Sequence, residues 1–504
     1  MKGQLSKYDV IRPLEDGDHF LLMNGLYGAL DVVDKKEGEA LLSGDIDAIP
    51  GQERERLLAR GHLCDSHETQ KEDLAILAWI FRKIISENDA VIYLMPTYNC
   101  NFRCPYCFES HRLAKGEEWL KKTMSRELVD AVFEALEKEK GRGIRLERMR
   151  IYGGEPLLPE NKEIIRYISK KSVEAGLPLD VTTNGYNLDQ FIDILTEYHY
   201  SLIFTTLDGT REDNDKRRVH IGGGGSYEKI LDNVGLALAK GLRVSVRINV
   251  GPGNIHRVQD LVEVFKEKGF TDYPGFIYVF YATEGENYPG ADYGVSLKEL
   301  VDMQVCKGMD KIHAMEHVAQ YAHDVDTTQR VMDYNGYFIS NDTACAAEGN
   351  AIMVDPEGSI YTCMKLVGRD DMKVGRVDME KGKFAYTFDL LKWYNRRVMN
   401  LPECMECPFV FFCGGGCAYK AYLEKGSITE PCCGEKKDVI AESVTAVCDM
   451  TFKEKGEKEL SKSLKVLLSS FTPEERKELL SSPGRKRLKE LMEKAERAGL
   501  KCGL

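Results

Sequence analysis

Short apolar runs alternate with longer amphipathic stretches through the middle of the chain. Six runs rich in β-branched and aromatic residues, which favour strands, fall at 91–95, 149–152, 179–183, 202–206, 244–250 and 276–281. The clearest amphipathic stretch is 227–240, where apolar residues recur at spacings of three and four and so share one helical face. Strands joined by helical crossovers predict an α/β fold with a parallel sheet, curved into a partial (β/α)6 barrel.

Polar motifs follow the first four of these predicted strands. They begin at Cys100, Gly153, Asn184 and Asp208. Parallel α/β folds place their chemistry at the carboxyl ends of the strands. The sequence therefore predicts an active site where these four motifs meet.

The N-terminal residues 1–80 have a pattern of their own. Two strand-like runs, 19–23 and 27–33, flank Asn24-Gly25, a dipeptide that favours the type I′ turn of a β-hairpin. Short helical stretches follow, and Gly61 is a suitable residue to end the second. This order is compatible with a winged-helix-like module; the alternative is a simple extension packed on the main domain.

The C-terminal half is less regular. Residues 291–342 predict connecting helices. Residues 343–450 are rich in loops and cysteine, so metal clusters rather than apolar burial would hold this domain together. Residues 451–504 predict a charged helical tail, with a capping box and a helix-starting proline in Thr472-Pro-Glu-Glu475.

Composition narrows the class of protein. The 504 residues suffice for about three domains. Lys and Arg number 69 against 81 Asp and Glu, a net charge of −12 that argues against nucleic-acid or anionic-membrane partners. No apolar run approaches the roughly 18 residues of a membrane span, and the first residues lack the apolar core of a secretory signal. We expect a cytoplasmic protein.

The fifteen cysteines are too many for incidental thiols and they occur in groups. In a reducing compartment, grouped cysteines indicate metal ligands before disulfides. One group is Cys100, Cys104 and Cys107. The second group is Cys345, Cys363, Cys404, Cys407, Cys413, Cys417, Cys432, Cys433 and Cys448. We interpret the isolated Cys64, Cys306 and Cys502 as ordinary thiols.

The first group forms a C-x3-C-x2-C run with no fourth cysteine nearby. A structural zinc site needs four ligands, whereas a four-iron cluster held by three thiolates keeps one iron open. An open iron can chelate the amine and carboxylate of a small molecule. The alternative is a zinc site whose fourth ligand is remote, such as His111.

This run, with Tyr106 before its last cysteine, resembles the signature of radical S-adenosylmethionine (SAM) enzymes. The resemblance implies that the open iron of a [4Fe-4S] cluster binds SAM. It further implies that an electron from the cluster cleaves SAM to a 5′-deoxyadenosyl radical, which abstracts hydrogen from the substrate. A low-potential electron donor of the flavodoxin or ferredoxin type is implied as well.

Other motifs extend the resemblance over residues 88–290. Gly153-Gly154-Glu155-Pro156 resembles the family's GGE motif, in which the glutamate accepts from the methionyl ammonium. Asn184 lies in a stretch that resembles the third-strand motif. Residues 206–218 resemble the S-x-D-G stretch and the arginine that follows it, with threonine in place of the serine. The cofactor-binding residues so implied are Tyr106, Gly153, Gly154, Glu155, Asn184, Thr206, Asp208 and Arg218.

The second cysteine group resembles the SPASM domain, which holds two auxiliary [4Fe-4S] clusters and would bring the total to three. The resemblance assigns Cys345, Cys363 and Cys417 to cluster I. It assigns Cys404, Cys407, Cys413 and a late cysteine to cluster II, with Cys433 favoured over Cys432. Cluster I then either keeps an open iron, which could bind a substrate thiolate, or is closed by Cys432 or Cys448.

Radical enzymes with this domain act mostly on peptides, and the N-terminal module resembles leader-recognition elements. An exposed hairpin edge there could bind an extended leader of a precursor peptide by strand addition. The leading hypothesis is a peptide maturase that forms an intrapeptide cross-link, a thioether from cysteine sulfur to carbon. No side chain is identified as a catalytic base.

Three alternatives remain. One is carbon–carbon cross-linking or oxidative decarboxylation of a precursor peptide. Another is anaerobic sulfatase maturation, although those enzymes carry an aspartate where Met364 stands here. The third is a pure electron-transfer module, which three cysteines in the first group disfavour because electron carriers use four thiolates.

Overall fold

We describe the protein from a computed structural model of the 504-residue chain. It describes residues 3–84, 89–142, 144–282, 295–333, 336, 338, 342–349 and 351–480. Cys502, the tail beyond residue 480 and part of the connecting segment lie outside the described residues. No helix within these ranges is both long and apolar enough to cross a bilayer.

Fifteen β-strands occur in the described ranges. They are β1 Gln4–Leu5, β2 Asp9–Pro13, β3 His19–Asn24, β4 Ala29–Asp34, β5 Leu63–Cys64, β6 Asp89–Leu94, β7 Arg145–Ile151, β8 Leu179–Thr182, β9 Leu202–Thr206, β10 Val244–Val250, β11 Phe276–Ala282, β12 Ala351–Val354, β13 Ser359–Tyr361, β14 Gly375–Asp378 and β15 Lys383–Tyr386.

The α-helices of the same ranges are as follows. They are α1 Lys35–Ser43, α2 Gly51–Arg60, α3 His67–Ile84, α4 Glu117–Leu120, α5 Arg126–Gly141, α6 Lys162–Glu174, α7 Ile192–Glu197, α8 Arg211–Arg217, α9 Tyr227–Ala239, α10 Val258–Glu267, α11 Leu297–Val305, α12 Lys311–Glu316, α13 Ala319–Asp333, α14 Leu390–Tyr394, α15 Pro402–Met405, α16 Val410–Cys413, α17 Ala418–Lys425, α18 Lys436–Lys455, α19 Leu464–Ser469 and α20 Pro473–Leu480.

The six predicted central strands are confirmed and form one parallel array in the order β11-β10-β9-β8-β7-β6. Their alternate residues, such as Ile92 and Met149, are fully buried in the main core, while Tyr93 and Arg150 point to the opposite face, the lumen. Together with the helices between them, these strands make the predicted partial barrel.

The cysteine-rich segment continues the same sheet. Strand β12 pairs in parallel with β6, Ala351 lying opposite Val91, and β13, β14 and β15 follow antiparallel. Cys345 precedes the amino end of β12, whereas Cys100 follows the carboxyl end of β6. The two cysteine groups therefore begin at opposite ends of one sheet.

The N-terminal module is a three-stranded antiparallel sheet, β2-β3-β4, with helices α1, α2 and α3. The hairpin of β3 and β4 is confirmed, but its type I′ turn is wrong. Asn24 pairs with Ala29, so four residues connect the strands, and Gly28 rather than Asn24 or Gly25 has a left-handed φ, 65°. The Asn24 side chain instead accepts from the Leu26 and Tyr27 amides.

Strand β4 does not offer a free edge. Residues 458–464 of the same chain lie along it, and Ser461 Oγ accepts from the Leu30 amide at 2.9 Å. The backbone bonds run from Val32 N to Lys458 O at 2.7 Å, from Leu460 N to Leu30 O at 2.9 Å and from Leu464 N to Tyr27 O at 2.9 Å. The expectation of an exposed hairpin edge at β4 is therefore wrong, and β2 is the other edge of this sheet.

A buried ion network holds the module together. Asp31, fully buried, accepts from Arg56 at 2.8 Å, from Arg60 at 2.9 Å and from His62 Nε2 at 2.6 Å. The other ring nitrogen of His62 lies 2.7 Å from Asp9. Burial alone would lower the pKa of His62, but the two carboxylates outweigh it and raise that pKa to about 9.

Candidate active site and metal centres

The loop after β6 brings Cys100, Cys104 and Cys107 around one cavity of about 250 Å³. The Phe102 amide donates to Cys100 Sγ at 3.4 Å, and the Cys107 amide donates to the Cys104 carbonyl at 3.1 Å. Gly154, from the end of β7, lines the same cavity. The structure thus brings together the first two motifs predicted to meet.

Burial raises the pKa of the Cys100 and Cys104 thiols and raises that of Cys107 to about 12. Three buried thiols need a cationic partner to become thiolates. Within the described ranges, no three Cys, His, Asp or Glu side chains converge as a single metal ion requires. Thiols spread around a cavity fit a larger iron–sulfur cluster, which also takes thiolate ligands.

His111 does not complete a metal site with these cysteines. Its Nδ1 lies 3.0 Å from the Phe108 carbonyl oxygen, and its Nε2 lies 3.2 Å from the Val367 carbonyl oxygen. Both ring nitrogens are therefore engaged by backbone. The zinc alternative that used His111 as fourth ligand finds no support.

The glycines after β7 permit a close approach of backbone to the cysteine loop. Gly153 and Gly154 have φ of 101° and 50°, values that L side chains rarely adopt. A Cβ on Gly154 would lie 2.2 Å from the Asn99 carbonyl oxygen. The Gly154 amide donates to Glu109 Oε2 at 3.1 Å. Glycine is thus required where the second strand end meets the loop.

Glu155 ties the second and third strand ends together. Its buried carboxylate accepts from Thr183 Oγ1 at 2.6 Å and from the Leu157 and Asn184 amides at 2.9 and 2.5 Å. Burial raises its pKa to about 7 even though these bonds oppose the rise. Protein donors thus occupy three acceptor positions of this carboxylate, and its contact with a methionyl ammonium stays a prediction.

A second polar network surrounds Asp208 after β9. Tyr106 donates its hydroxyl proton to Asp208, and Arg218 Nη1 donates to the Tyr106 oxygen at 3.1 Å. Among the residues that the structure describes, none accepts a hydrogen bond from the buried Nε of Arg218, so this donor can bind a ligand. Thr206, on β9, is half-buried. The predicted residues Tyr106, Asp208 and Arg218 are therefore in mutual contact.

Sequence reasoning missed Asn249 and Asn254 in this network. Asn249 Nδ2 donates to Asp208 Oδ1 at 2.9 Å, and Asn254 Nδ2 donates to the Asp208 carbonyl at 2.7 Å. Asn249 lies at the carboxyl end of β10, the fifth strand. The strand-end rule applied to the first four strands would have found it there.

Cys345, Cys363 and Cys417 form a second group of neighbouring thiols. Burial, with a smaller contribution from the neighbouring Cys417, raises the pKa of Cys345 and of Cys363 to about 12. Cys363 follows β13, which pairs with β12, so Cys345 and Cys363 lie at the same end of the sheet. The buried Glu348 accepts from the Cys345 amide at 3.3 Å and pairs with Arg396.

The third site is a smaller cavity of about 100 Å³. Its walls include the thiols expected for cluster II, together with Lys437, and they are Cys404, Cys407, Cys413 and Cys433. Burial, followed by the proximity of the other three thiols, raises the pKa of Cys404 to about 12. These four side chains can together hold a four-iron cluster.

Cys432 and Cys448 differ from these groups. Cys432 lines the third cavity near Cys417, but its Sγ is directed at Glu424 Oε2, 3.6 Å away. Cys448 is fully buried in α18. Its burial and, to a smaller extent, the negative charges of Asp31 and Asp449 raise the pKa of its thiol. Cys448 thus belongs to the packing of α18.

Residues 94–283 match the model of the radical SAM superfamily. The protein therefore contains a radical SAM domain, the class that the parallel barrel and the three-cysteine loop define. This domain implies an enzyme that uses SAM and a [4Fe-4S] cluster.

Two curated proteins are similar to parts of this chain. The chain is 22% identical over 337 residues to the cysteine-type anaerobic sulfatase-maturating enzyme of Clostridium novyi, covering 63% of this chain and 85% of that protein. It is 34% identical over 175 residues to the GTP 3',8-cyclase of Microcystis aeruginosa, covering 34% of this chain and half of that protein.

A solved structure, native anSMEcpe with bound AdoMet and Cp18Cys peptide, superimposes with a TM-score of 0.52 at 17% identity. The match covers 73% of this chain and 98% of that one. At this identity the likeness shows the fold alone.

Proposed function

We propose that this protein is a radical SAM peptide maturase that forms an intrapeptide thioether from cysteine sulfur to carbon. The observation that carries the proposal is the placement of two thiol groups at opposite ends of one barrel sheet. The group of Cys100, Cys104 and Cys107 would hold the cluster that binds SAM. The group that begins at Cys345 would hold a cluster that binds a substrate sulfur. A peptide in the lumen would lie between them.

The lumen has the polarity that a peptide segment needs. Arg150 lies 4.4 Å from the Phe204 ring centroid and donates to Asp180 at 3.0 Å. Asp180 is fully buried, and its Oδ1 accepts no hydrogen bond in the described part of the chain. A buried acceptor without a hydrogen bond can accept one from a backbone amide of a bound peptide. Tyr93, beside Arg150, is also within electrostatic reach of Cys345.

The choice of sulfur chemistry rests on the incomplete ligand set near Cys345. Three thiols gather there, while Cys432, which lies within electrostatic reach of Cys417, is directed at Glu424. An iron with only three cysteine neighbours in its cluster can bind a substrate thiolate. Holding the sulfur in place lowers the barrier to bond formation. The net reaction would break one C–H and one S–H bond and make one C–S bond, with SAM as the two-electron oxidant. The C–H hydrogen would end in 5′-deoxyadenosine, methionine would be released, and the S–H proton would go to solvent.

The N-terminal module is proposed to bind the leader of the precursor peptide. Because residues 458–464 cover β4, the leader would add to the other edge, β2. Strand addition needs unpaired backbone groups, which an edge strand supplies. Pro13 at the end of β2 limits the length of such pairing, since proline has no amide proton.

The test is the mass of a cysteine-containing precursor peptide encoded beside the gene, with and without its leader. The anaerobically reconstituted enzyme, SAM and a reductant should remove two hydrogens per event and one alkylatable thiol. Cys417→Ala should stop this change, whereas Cys432→Ala should retain it. Loss of two hydrogens with all thiols free would instead favour carbon–carbon coupling. A formylglycine product would favour sulfatase maturation, to which the Clostridium novyi relative points.

We expect Gly154→Ala to weaken SAM binding by about tenfold or more. The added Cβ would meet the Asn99 carbonyl at 2.2 Å in a left-handed backbone, and such strain costs roughly 1–3 kcal/mol. Equilibrium binding of SAM to the reconstituted protein measures the effect. Gly176→Ala is the matched control, because its φ is 70° but nothing lies within 4 Å of the added Cβ. Equal binding by Gly154→Ala and the wild type would contradict the assignment of this glycine.

A further inference from the structure

A fully buried arginine lines the cavity of the first cysteine group. Arg112 lies on the 3₁₀-helical turn Ser110–Lys115, which follows Cys107, and it is 1% exposed. It borders the same cavity of about 250 Å³ as the three cysteines. A guanidinium keeps its positive charge at physiological pH, so its burial is costly unless acceptors surround it.

Two of the three guanidinium nitrogens of Arg112 have acceptors. Nε donates to the Val367 carbonyl at 3.0 Å, and Nη1 pairs with Glu109 Oε2 at 3.1 Å. The third nitrogen, Nη2, is buried, and among the described residues none accepts a hydrogen bond from it. Buried polar groups in native proteins are nearly always paired, so Nη2 indicates an acceptor that binds in the cavity.

The contact of Arg112 with the glycine motif is made through Glu109. Glu109 Oε2 also accepts from the Gly154 amide at 3.1 Å, and Tyr152 donates its hydroxyl proton to the other carboxylate oxygen. The carboxylate thus connects Nη1 to the end of β7, where SAM is expected. Nη2 is left for a different acceptor.

The other acceptor expected in this cavity is sulfur. Tight turns join Cys107 to Arg112, since the Ser110 amide donates to the Cys107 carbonyl at 3.0 Å and the Arg112 amide donates to the Glu109 carbonyl at 2.9 Å. Cys107 and Arg112 lie within electrostatic reach of each other. Sulfur atoms of iron–sulfur clusters accept hydrogen bonds, and these bonds tune the reduction potential of the cluster.

The segment after Cys363 holds Arg112 from the other side. Val367, the acceptor of Arg112 Nε, follows Cys363 by four residues, and the Leu366 amide donates to the Cys363 carbonyl at 3.1 Å. Gly368 lies against the arginine, because a Cβ there would meet Arg112 Cγ at 3.4 Å. The guanidinium is therefore fixed in place by both cysteine-bearing segments, and its donors are preorganised.

We propose that Arg112 Nη2 donates a hydrogen bond to a sulfur of the first cluster and that this contact raises the reduction potential of the cluster. The positive charge favours the reduced cluster, which carries one more electron than the oxidised one. The Glu109 carboxylate, within electrostatic reach of Cys107, acts in the opposite direction. The inference rests on the radical SAM part of the proposed function and not on the peptide substrate.

The experiment measures the midpoint potential of the first cluster in the reconstituted full-length protein without SAM. A titration with dithionite is followed by electron paramagnetic resonance, and the signal that Cys107→Ala lacks identifies the first cluster. Arg112→Met, similar in length but uncharged, should lower the equilibrium constant for reduction about tenfold, or ~59 mV for one electron. Glu109→Gln should raise it. Arg112→Lys should lie between Arg112→Met and the wild type, because it keeps the charge but loses the planar fork.

Lys115→Met is the matched control for the loss of a cation. Lys115 lies on the same turn, but it pairs with Asp370 at 3.5 Å and is not among the residues that line the cavity. Its substitution should leave the potential unchanged. If Arg112→Met takes up less iron, Glu109→Gln and Arg112→Lys still provide the test.

Unchanged potentials in the Arg112 and Glu109 variants would overturn the proposal. Unchanged potentials together with weaker SAM binding by Arg112→Met would also overturn it and assign Nη2 to SAM. Failure of the proposed function would look different. The precursor peptide would then keep its mass, whereas the shifts in potential, measured without SAM or peptide, would persist.

Discussion

Cys107→Ala is expected to abolish reductive cleavage of SAM and to lower the iron content by about four atoms per chain. Cys107 is one of three thiols around the cavity of about 250 Å³, and no His, Asp or Glu among the described residues joins them in a compact metal site. Loss of one thiolate leaves two, too few to retain the cluster. The proposed auxiliary clusters would use other cysteines and should keep their iron.

Iron and sulfide analysis with electron paramagnetic resonance of the reduced protein measures this loss, and 5′-deoxyadenosine formation reports cleavage. Cys306→Ala is the control, because Cys306 is exposed and lies far along the chain from all three groups. It should keep full iron and full cleavage. A Cys107→Ala protein with unchanged iron would show that the first cluster is held by other ligands.

Local sequence information was sufficient for the barrel. Strands are encoded by short β-rich runs, and five of the six observed strands lie close to the predicted ranges. Strand β7 begins four residues earlier than expected, at Arg145, and contains Arg148 and Arg150. These arginines reach Asp180 in the lumen, so their polarity interrupts the apolar run from which the strand was predicted.

The cysteine groups could also be predicted, because ligand spacing is a local property of the chain. Contacts between distant segments could not. Nothing in the sequence near Lys458 indicates that it pairs with Val32, more than 400 residues away. The orientation of Cys432 toward Glu424 likewise depends on the fold, since its neighbour Cys433 has nearly the same sequence context. Tertiary structure therefore decides which of the two adjacent thiols is directed at Glu424.

Asp31→Ala is expected to destabilise the N-terminal module by about 3–5 kcal/mol, because it leaves buried cations without their carboxylate. Asp31 is fully buried and accepts hydrogen bonds from Arg56, Arg60 and His62. Arg60 also donates to the Ser461 carbonyl, so the loss should loosen residues 458–464 from β4. Hydrogen exchange of the Leu30 and Val32 amides measures both effects, since these amides bond to that segment.

The pH dependence of stability tests whether the buried network around Asp31 and His62 causes this destabilisation. A His62 pKa raised to about 9 stabilises the folded state fully below its unfolded value of about 6.5, and this contribution is lost as pH rises through 9. In the wild type, the protection of these amides against hydrogen exchange should therefore decrease between pH 6.5 and pH 9. In Asp31→Ala this decrease should be smaller. Asp47→Ala, whose exposed side chain pairs with Arg54, should change stability by less than about 0.5 kcal/mol. A similar loss in both variants would mean that the buried network adds nothing beyond a surface ion pair.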